Sequence, residues 1–278
     1  MSPFDYRQVD VFTSTALRGN PLAVVLGAEG LSDDVMARFA NWTNLSETVF
    51  LLPPTQPEAD YRLRIFTPKS ELPFAGHPTL GSCHAWLEAG GKPKGTDIVQ
   101  ECGVGLIRIR RSEDGLAFAA PPLIRSGALK PALLQRVMEA LSLRPDQVVE
   151  GQWVDNGPGW LALLLKRRAD LLAVQPDYSK LAGLEVGLVA PFDRDEDGDG
   201  ADFELRSFMS EGAEDPVTGS LNASVAIWLI GNGIAQPSYV AAQGTCLGRA
   251  GRVHVRQEGD TIWVGGQSVT CISGQVSL

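Results

Sequence analysis

Two segments of the chain are apolar on almost every side. The first, Thr79–Ala89, begins after a proline and stops at two glycines, and the second, Leu221–Ile230, follows Ser220 and stops at a glycine. Proline suits the first position of a helix, serine is a good N-cap, and glycine often ends a helix. A helix that is apolar all round has to be buried all round. We therefore predict two helices, each enclosed by other elements.

Short strands with alternating apolar and polar residues surround each helix in the sequence, a period typical of a sheet with one buried face. The predicted strands are Tyr61–Phe66, Val104–Arg110, Phe203–Phe208 and Val253–Val255. Hairpins that turn at a glycine are predicted at Leu106–Phe118 and Val253–Val264. Ser32–Thr43 and Ala132–Leu143 have the spacing of amphipathic helices.

The chain repeats its order of elements once. With a shift of 142 residues, seven residues of segment 63–91 are identical to their counterparts in segment 205–233. Each half then contains a strand, a glycine-containing loop, an apolar helix and a hairpin. The simplest architecture that buries both helices is an α+β fold in which a curved, barrel-like sheet surrounds a central helix, made twice.

The boundary between the halves is predicted from a proline-containing connection at 119–125. We place the N-terminal half at residues 1–122 and the C-terminal half at 123–267. Repeated halves usually meet across an approximate two-fold axis, and ligands bind at such junctions. We therefore expect an active-site cleft between the halves, faced by the loops that precede the two apolar helices.

Bulk properties exclude several classes of protein. The net charge of −9 and the pI of about 4.9 predict no nucleic-acid partner, because such proteins concentrate cations on one face. The longest apolar runs, such as Ala223–Ile230, are far shorter than the ~20 residues of a membrane span. No apolar stretch follows a basic start, which predicts a cytoplasmic protein without a secretory signal. The four cysteines form no C-x-x-C pair, so neither a zinc site nor a redox motif is predicted.

The loops before the two apolar helices, Glu71–Thr79 and Glu214–Asn222, carry candidate chemistry. A helix N-terminus presents unpaired N–H groups and a partial positive charge, so it can hold a carboxylate or a developing oxyanion. His77 and Asp215 would lie beside such an anion. Glu47 is a third candidate, because it stands between a helix and an apolar strand that would hold its backbone rigidly.

Each candidate also has a purely structural interpretation. His77 and Ser220 are suited to capping their helices, and Asp215, which precedes a proline, is suited to fixing a turn. Glu47 at the entrance of a strand is also typical of a solvated surface residue. The residues alone leave these alternatives open.

Three motifs, taken together, are specific. They are N-L-S-E-T at Asn44–Thr48, E-L-P-F-A-G-H-P-T at Glu71–Thr79 and D-P-V-T-G-S at Asp215–Ser220. The opening Val9–Phe12 with Gly19–Val24, and Gln243–Gly251 near the end, extend the likeness over nearly the whole chain. In these features the chain resembles the phenazine-biosynthesis PhzF-like isomerases, which share the fold of diaminopimelate epimerase.

The resemblance implies a fold and a set of roles. It implies two α/β halves related by a pseudo-two-fold axis, with the last strand, 268–278, returning to the N-terminal half. It makes Glu47 a general acid/base that moves a proton between carbon atoms, with His77 and Asp215 completing the catalytic set. The residues implied to bind the substrate are Gly76, Pro78, Thr79, Gly219 and Ser220. A small carboxylate substrate, no metal or organic cofactor, and a homodimer are also implied.

Departures from related enzymes leave other functions open. Related epimerases and racemases use two cysteines at these loops, whereas His77 and Thr218 stand here, so a two-thiol mechanism is not predicted. An epimerase or racemase with other acid/base residues, and a non-catalytic binding protein, are the alternatives. Leu221 stands where the family often has a small residue, so we expect it to narrow the pocket and to disfavour the phenazine precursor as substrate.

An acidic segment, Asp193–Glu204, fits the spacing of a calcium-binding loop. Its context differs from that of a helix–loop–helix calcium site, because the preceding residues contain Pro191 and predict the end of a strand. Gly200 also replaces the apolar residue that is usual at its position in the loop. We therefore interpret the segment as a solvated acidic loop.

Overall fold

The computed structural model describes residues 3–198 and 200–278. Two compact units are present in it. The first runs up to Ala119 and includes Gly265–Leu278 from the end of the chain, and the second is Ala120–Val264. Within the described residues, no helix combines the length and the apolar character that crossing a membrane requires.

The first unit contains two long helices. In chain order its elements are β1 (Pro3–Val11), β2 (Asn20–Leu26), α1 (Asp33–Thr43), β3 (Thr48–Leu52), β4 (Tyr61–Phe66), β5 (Glu71–Leu72), α2 (Gly76–Glu88), β6 (Ile98–Cys102), β7 (Gly105–Ser112) and β8 (Gly115–Ala119). The last strand of the chain, which we label β18 (Ser268–Ser277), pairs antiparallel with β1.

The second unit repeats this arrangement with additional short helices. Its elements are β9 (Arg125–Ala128), α3 (Pro131–Ala140), β10 (Val148–Asp155), β11 (Trp160–Leu165), α4 (Arg168–Ala173), α5 (Tyr178–Leu181), β12 (Glu185–Pro191), α6 (Arg194–Asp197), β13 (Phe203–Met209), β14 (Ala213–Glu214), α7 (Gly219–Gly231), β15 (Ser238–Gln243), β16 (Gly251–Glu258) and β17 (Thr261–Gly266).

The strand pairings of the two units follow one scheme. In the first unit, β1–β2 is antiparallel, β2–β3 parallel, β3–β4 antiparallel, β4–β6 parallel and β6–β7 antiparallel. In the second, the same alternation runs through β10–β11, β11–β12, β12–β13, β13–β15 and β15–β16. The repeat inferred from the sequence is therefore a repeat of topology.

The two apolar helices are buried as predicted. Leu80 and Cys83 of α2, and Leu221 and Leu229 of α7, have no exposed surface. Helix α2 approaches its sheet so closely that a Cβ at Gly81 would lie 2.6 Å from a methyl carbon of Leu22. By contrast, α1 is amphipathic, and it is capped at Ser32, whose hydroxyl accepts the backbone N–H of Val35.

One prediction about a helix start is wrong. Ser220 does not cap α7, because the helix begins at Gly219 and its N-cap is Thr218. The hydroxyl of Ser220 accepts instead a hydrogen bond from the indole N–H of Trp160, at 3.0 Å. The prediction rested only on the preference of serine for N-cap positions. In the structure the N-cap lies two residues earlier in the chain, at Thr218.

Candidate active site

Glu47 and His77 meet inside the first unit. Glu47 lies between α1 and β3, and His77 lies in the first turn of α2. The Oε2 atom of Glu47 is 3.3 Å from Nε2 of His77, and the two side chains are 15% and 5% exposed. The structure therefore brings two of the three predicted catalytic residues together, with His77 buried and Glu47 partly exposed.

The backbone around Glu47 is held from both sides. Helix α1 ends at Asn44, which adopts the left-handed conformation with φ of 54°. The hydroxyls of Thr43 and Thr48, which flank this turn, lie 2.8 Å apart, and Thr43 also donates to the carbonyl of Ala40 at 2.9 Å. These contacts tie the end of the helix to the start of the strand, which leaves the Glu47 backbone little freedom.

His77 is a neutral partner for this carboxyl group. Burial lowers the pKa of His77 from 6.5 to about 3, because the charged imidazolium would lose its hydration. At neutral pH the ring is therefore uncharged, and the contact with Glu47 is not an ion pair. A neutral imidazole can still donate or accept one hydrogen bond at each ring nitrogen.

The other predicted residues of this loop differ in what they contact. Gly76 and Pro78 are buried in the first turn of α2, and its N-cap, Ala75, provides no side-chain capping bond. Thr79 is fully buried, and its hydroxyl accepts a hydrogen bond from Nε2 of Gln100 at 3.1 Å. The first-turn N–H groups are therefore not capped by the N-cap side chain, whereas the hydroxyl of Thr79 is engaged within the unit.

In the second unit, Asp215 stands directly before the turn into α7. Its backbone N–H donates to the carbonyl of Ser207 in β13 at 3.0 Å. Its carboxylate accepts the hydroxyl of Thr218 at 2.5 Å, and the buried side chain of Gln243 bonds to both residues. Sequence reasoning did not assign Gln243 a role, although its Gln-Gly pair at the end of a strand was the available signal.

Ser220 and Gly219 occupy the first turn of α7. Besides its bond from Trp160, Ser220 accepts at its carbonyl a hydrogen bond from Nδ2 of Asn156 at 2.9 Å. The N-cap Thr218 makes no side-chain capping bond, so the first turn of α7 resembles that of α2 in this respect. The first turns of both helices thus present N–H groups that could donate hydrogen bonds to a carboxylate.

A forked arginine–glutamate pair lies beside each of these loops. Arg64 of β4 donates from two nitrogens to Glu71 of β5, both at 2.7 Å. Arg206 of β13 donates in the same way to Glu214 of β14, at 2.9 and 2.7 Å. The shift of 142 residues places Arg64 on Arg206, so the repeat was the signal that could have revealed these pairs.

Leu221 is used for packing within the second unit. It is fully buried, and a Cβ at Gly187 of β12 would lie 2.5 Å from its Cδ1. The absence of a side chain at Gly187 therefore makes room for Leu221.

The acidic segment does not assemble a calcium site in the part that the structure describes. Its Asp199 lies outside the described residues. Asp197 and Glu204 instead pair with Arg168, both at 3.0 Å, and Asp193 accepts the N–H of Asp195. Over residues 3–198 and 200–278, no group of three or more metal-ligating side chains comes together.

None of the four cysteines stands in the loops that lead into α2 and α7. Cys83 lies within α2, where burial raises its pKa to about 12 and keeps the thiol protonated. The loop positions themselves hold His77 and Thr218. The local chemistry is thus that of carboxyl, imidazole and hydroxyl groups.

Comparison with known proteins identifies relatives over nearly the full length. The family profile described as phenazine biosynthesis-like protein matches residues 9–274. The protein named antisense-enhancing sequence 1 of Schizosaccharomyces pombe is 36% identical and covers 99% of each chain. The trans-2,3-dihydro-3-hydroxyanthranilate isomerase of Pseudomonas aeruginosa is 34% identical, covering 91% of this chain and 90% of that protein.

Solved structures show the same fold. A phenazine biosynthesis protein of the PhzF family from Enterococcus faecalis covers 100% of both chains with a TM-score of 0.82 and 25% identity. A predicted epimerase from Pseudomonas aeruginosa and a hydroxyproline epimerase from Agrobacterium vitis match with lower TM-scores, 0.77 and 0.59, at 28% and 16% identity. The predicted α+β, epimerase-like fold is therefore confirmed.

Proposed function

This chain belongs to the phenazine biosynthesis-like family and is an isomerase, and from that premise we propose that Glu47 moves a proton between two carbon atoms of a small carboxylate. The carboxylate of Glu47 takes a proton from one carbon, and the electron pair of that C–H bond shifts into the conjugated system. The same carboxyl group then returns a proton to another carbon. Substrate and product are isomers, so the step needs neither an oxidant nor a reductant.

The observation that carries this proposal is the buried contact between Glu47 and a neutral His77, at 3.3 Å. A protonated histidine at this distance would attract the carboxylate and weaken it as a base. The neutral ring adds no positive charge that would weaken Glu47 as a base, and general acid–base catalysis by such a group contributes roughly 10²–10⁴-fold to a rate. The rigid backbone on both sides of Glu47 supports a fixed geometry for the transfer.

The substrate class is inferred from the starts of α2 and α7. Neither helix is capped by its N-cap side chain, and such ends favour anions. We propose that a substrate carboxylate accepts N–H groups at such a helix start, with Gly76 and Ser220 as the candidate residues, and that Asp215 binds a polar substituent of the substrate. Compounds related to trans-2,3-dihydro-3-hydroxyanthranilate, on which one relative is named to act, carry such groups.

The test is conversion in heavy water. The protein is incubated in D2O with trans-2,3-dihydro-3-hydroxyanthranilate and a panel of small amino and hydroxy carboxylates, and products are analysed by chromatography and mass spectrometry. We expect an isomer that has gained one mass unit with the wild type, and at least a 100-fold slower reaction with Glu47→Gln.

The matched control is Glu58→Gln, which makes the same change at an exposed position of the first unit and should retain wild-type activity. Full activity of folded Glu47→Gln would refute the role of Glu47. Inversion at an α-carbon without migration of a double bond, detected by chiral chromatography, would favour an epimerase instead.

A further inference from the structure

The amide of Gln243 has only one orientation that its neighbours allow. The side chain lies at the end of β15 and is 1% exposed. Its Oε1 accepts the backbone N–H of Thr218 at 3.0 Å, and its Nε2 donates to the backbone carbonyl of Asp215 at 3.1 Å. A backbone N–H can only donate and a carbonyl can only accept, so the reversed amide would face a donor with a donor.

This orientation sets the direction of the next two hydrogen bonds. Nε2 of Gln243 also lies 3.0 Å from the hydroxyl oxygen of Thr218, which must accept there. The hydroxyl hydrogen of Thr218 is then available to Asp215, whose Oδ2 lies 2.5 Å away. The sequence of donors is therefore Gln243 to Thr218 to Asp215, and it ends on a carboxylate oxygen that acts as an acceptor.

Asn222 closes the network from the helix side. Its Nδ2 donates to Oε1 of Gln243 at 2.8 Å and to the carbonyl of Thr218 at 2.9 Å. Gln243, Thr218 and Asn222 are all at least nine-tenths buried. Water therefore competes little for these bonds, which hold Gln243 and Thr218 in one arrangement.

We propose that Gln243 is a positioning residue, which acts through the hydroxyl of Thr218 to fix the rotamer of Asp215 and to keep it ionised. Asp215 then meets the substrate only as a hydrogen-bond acceptor, which selects carboxylates that also carry an N–H or O–H donor. The selectivity rests on the proposed function, whereas the state of Asp215 can be measured without turnover.

The first unit shows that the repeat does not by itself require the hydrogen bonds that join Gln243, Thr218 and Asp215. Gln100 of β6 donates to the hydroxyl of Thr79, but its Oε1 accepts from the hydroxyls of Tyr61 and Ser82. Within the described residues, no hydrogen bond of this set reaches His77. A buried glutamine thus orders the first helical turn in both units, but only in the second does the chain of donors end on a predicted catalytic residue.

The decisive variants are Thr218→Val, which removes the hydroxyl at nearly constant shape, and Thr218→Ser, which restores it. We expect kcat/KM for the substrate to fall by about 10- to 100-fold in Thr218→Val, as for the loss of one hydrogen bond to a charged group, and Thr218→Ser to recover most of the loss. The acidic limb of the pH profile should move to higher pH in Thr218→Val, because a carboxylate that loses a donor is protonated more readily.

Gln243→Met and Gln100→Met provide a matched comparison, since each removes one buried amide of the same kind. Both should lower the unfolding temperature, but only Gln243→Met should move the acidic limb. Equal losses in Thr218→Val and Thr218→Ser with an unmoved pH profile would overturn the proposal and leave a structural role.

A second readout does not depend on turnover. The carboxyl carbon of Asp215, assigned by comparison with Asp215→Asn, is followed by ¹³C NMR as a function of pH. We expect its titration midpoint to be higher in Thr218→Val than in the wild type and in Thr218→Ser. If the midpoint shifts but no substrate is isomerised, only the proposed function is refuted. If the midpoint is unchanged, only the positioning role is refuted.

Discussion

Arg64 and Arg206 occupy equivalent positions in the two repeats and make the same forked contact with a glutamate, but they differ in burial. The side chains of Arg206 and Glu214 are 4% and 9% exposed, whereas those of Arg64 and Glu71 are 19% and 42% exposed. Arg206 also donates to the carbonyls of Leu171 and Val174, at 3.1 and 2.7 Å. One substitution made at both positions therefore compares the loss of a buried set of bonds with the loss of a more exposed set, in which Arg64 pairs with Asp33 as well as Glu71.

Replacing Arg206 with methionine keeps an apolar stem and removes every donor. The carboxylate of Glu214 and two backbone carbonyls then remain buried without these partners, and breaking a buried pair in this way costs about 3–5 kcal/mol. The same change at Arg64 leaves Glu71 able to bind water, and an exposed pair contributes only about 0–1 kcal/mol.

The assay is urea unfolding of Arg206→Met, Arg64→Met and the wild type at pH 7, with the free energy of unfolding taken from the midpoint and slope. The double variant Arg206→Met with Glu214→Gln serves as a control, because the second change neutralises the carboxylate that the first leaves unpaired, so the double variant should cost less than Arg206→Met alone. Equal losses for the two arginine variants, or a loss below about 1 kcal/mol for Arg206→Met, would refute the reasoning from burial.

Two further predictions concern stability. Because burial lowers the pKa of His77 from 6.5 to about 3, the unfolded chain binds a proton that the folded protein does not. The stability due to the neutral ring is therefore complete above pH 6.5 and is lost as the pH falls toward 3, so His77→Gln should flatten the pH dependence of urea midpoints in that window, and an unchanged slope would contradict this. Gly187→Ala should cost about 1–3 kcal/mol by overpacking against Leu221, and the double variant with Leu221→Ala should lose less than the sum of the single changes, whereas strict additivity would argue against the contact.

The candidate site was only partly predictable. Glu47, His77 and Asp215 were recognisable by residue type and motif, because helix starts and strand entrances have local signals. The contact of Glu47 with His77 was not, since nothing in a local pattern states which distant side chains meet. Gln243 and Arg206 were not predicted to be important for the same reason, because their importance comes from buried partners elsewhere in the chain.

The pattern of apolar residues determined the elements and their repetition. Thr79–Ala89 and Leu221–Ile230 were predicted as enclosed helices, and α2 and α7 are buried with starts that differ by two or three residues. Periodicity records which side of an element avoids water, and that requirement is local. The error at Ser220 shows the limit, because a good capping residue caps only when the backbone geometry of the loop places it there.

Tertiary structure decided the charge and orientation of the groups in the site and the packing of the side chains around them. Burial makes His77 neutral, and buried neighbours fix the orientation of the Gln243 amide. Both effects depend on the exclusion of water by residues that are far away in sequence. Close packing decided that Leu221 lies against Gly187. The sequence by itself thus determined the fold, the repeat and the identity of candidate groups, whereas only the folded chain decided their neighbours, and hence their charge and orientation.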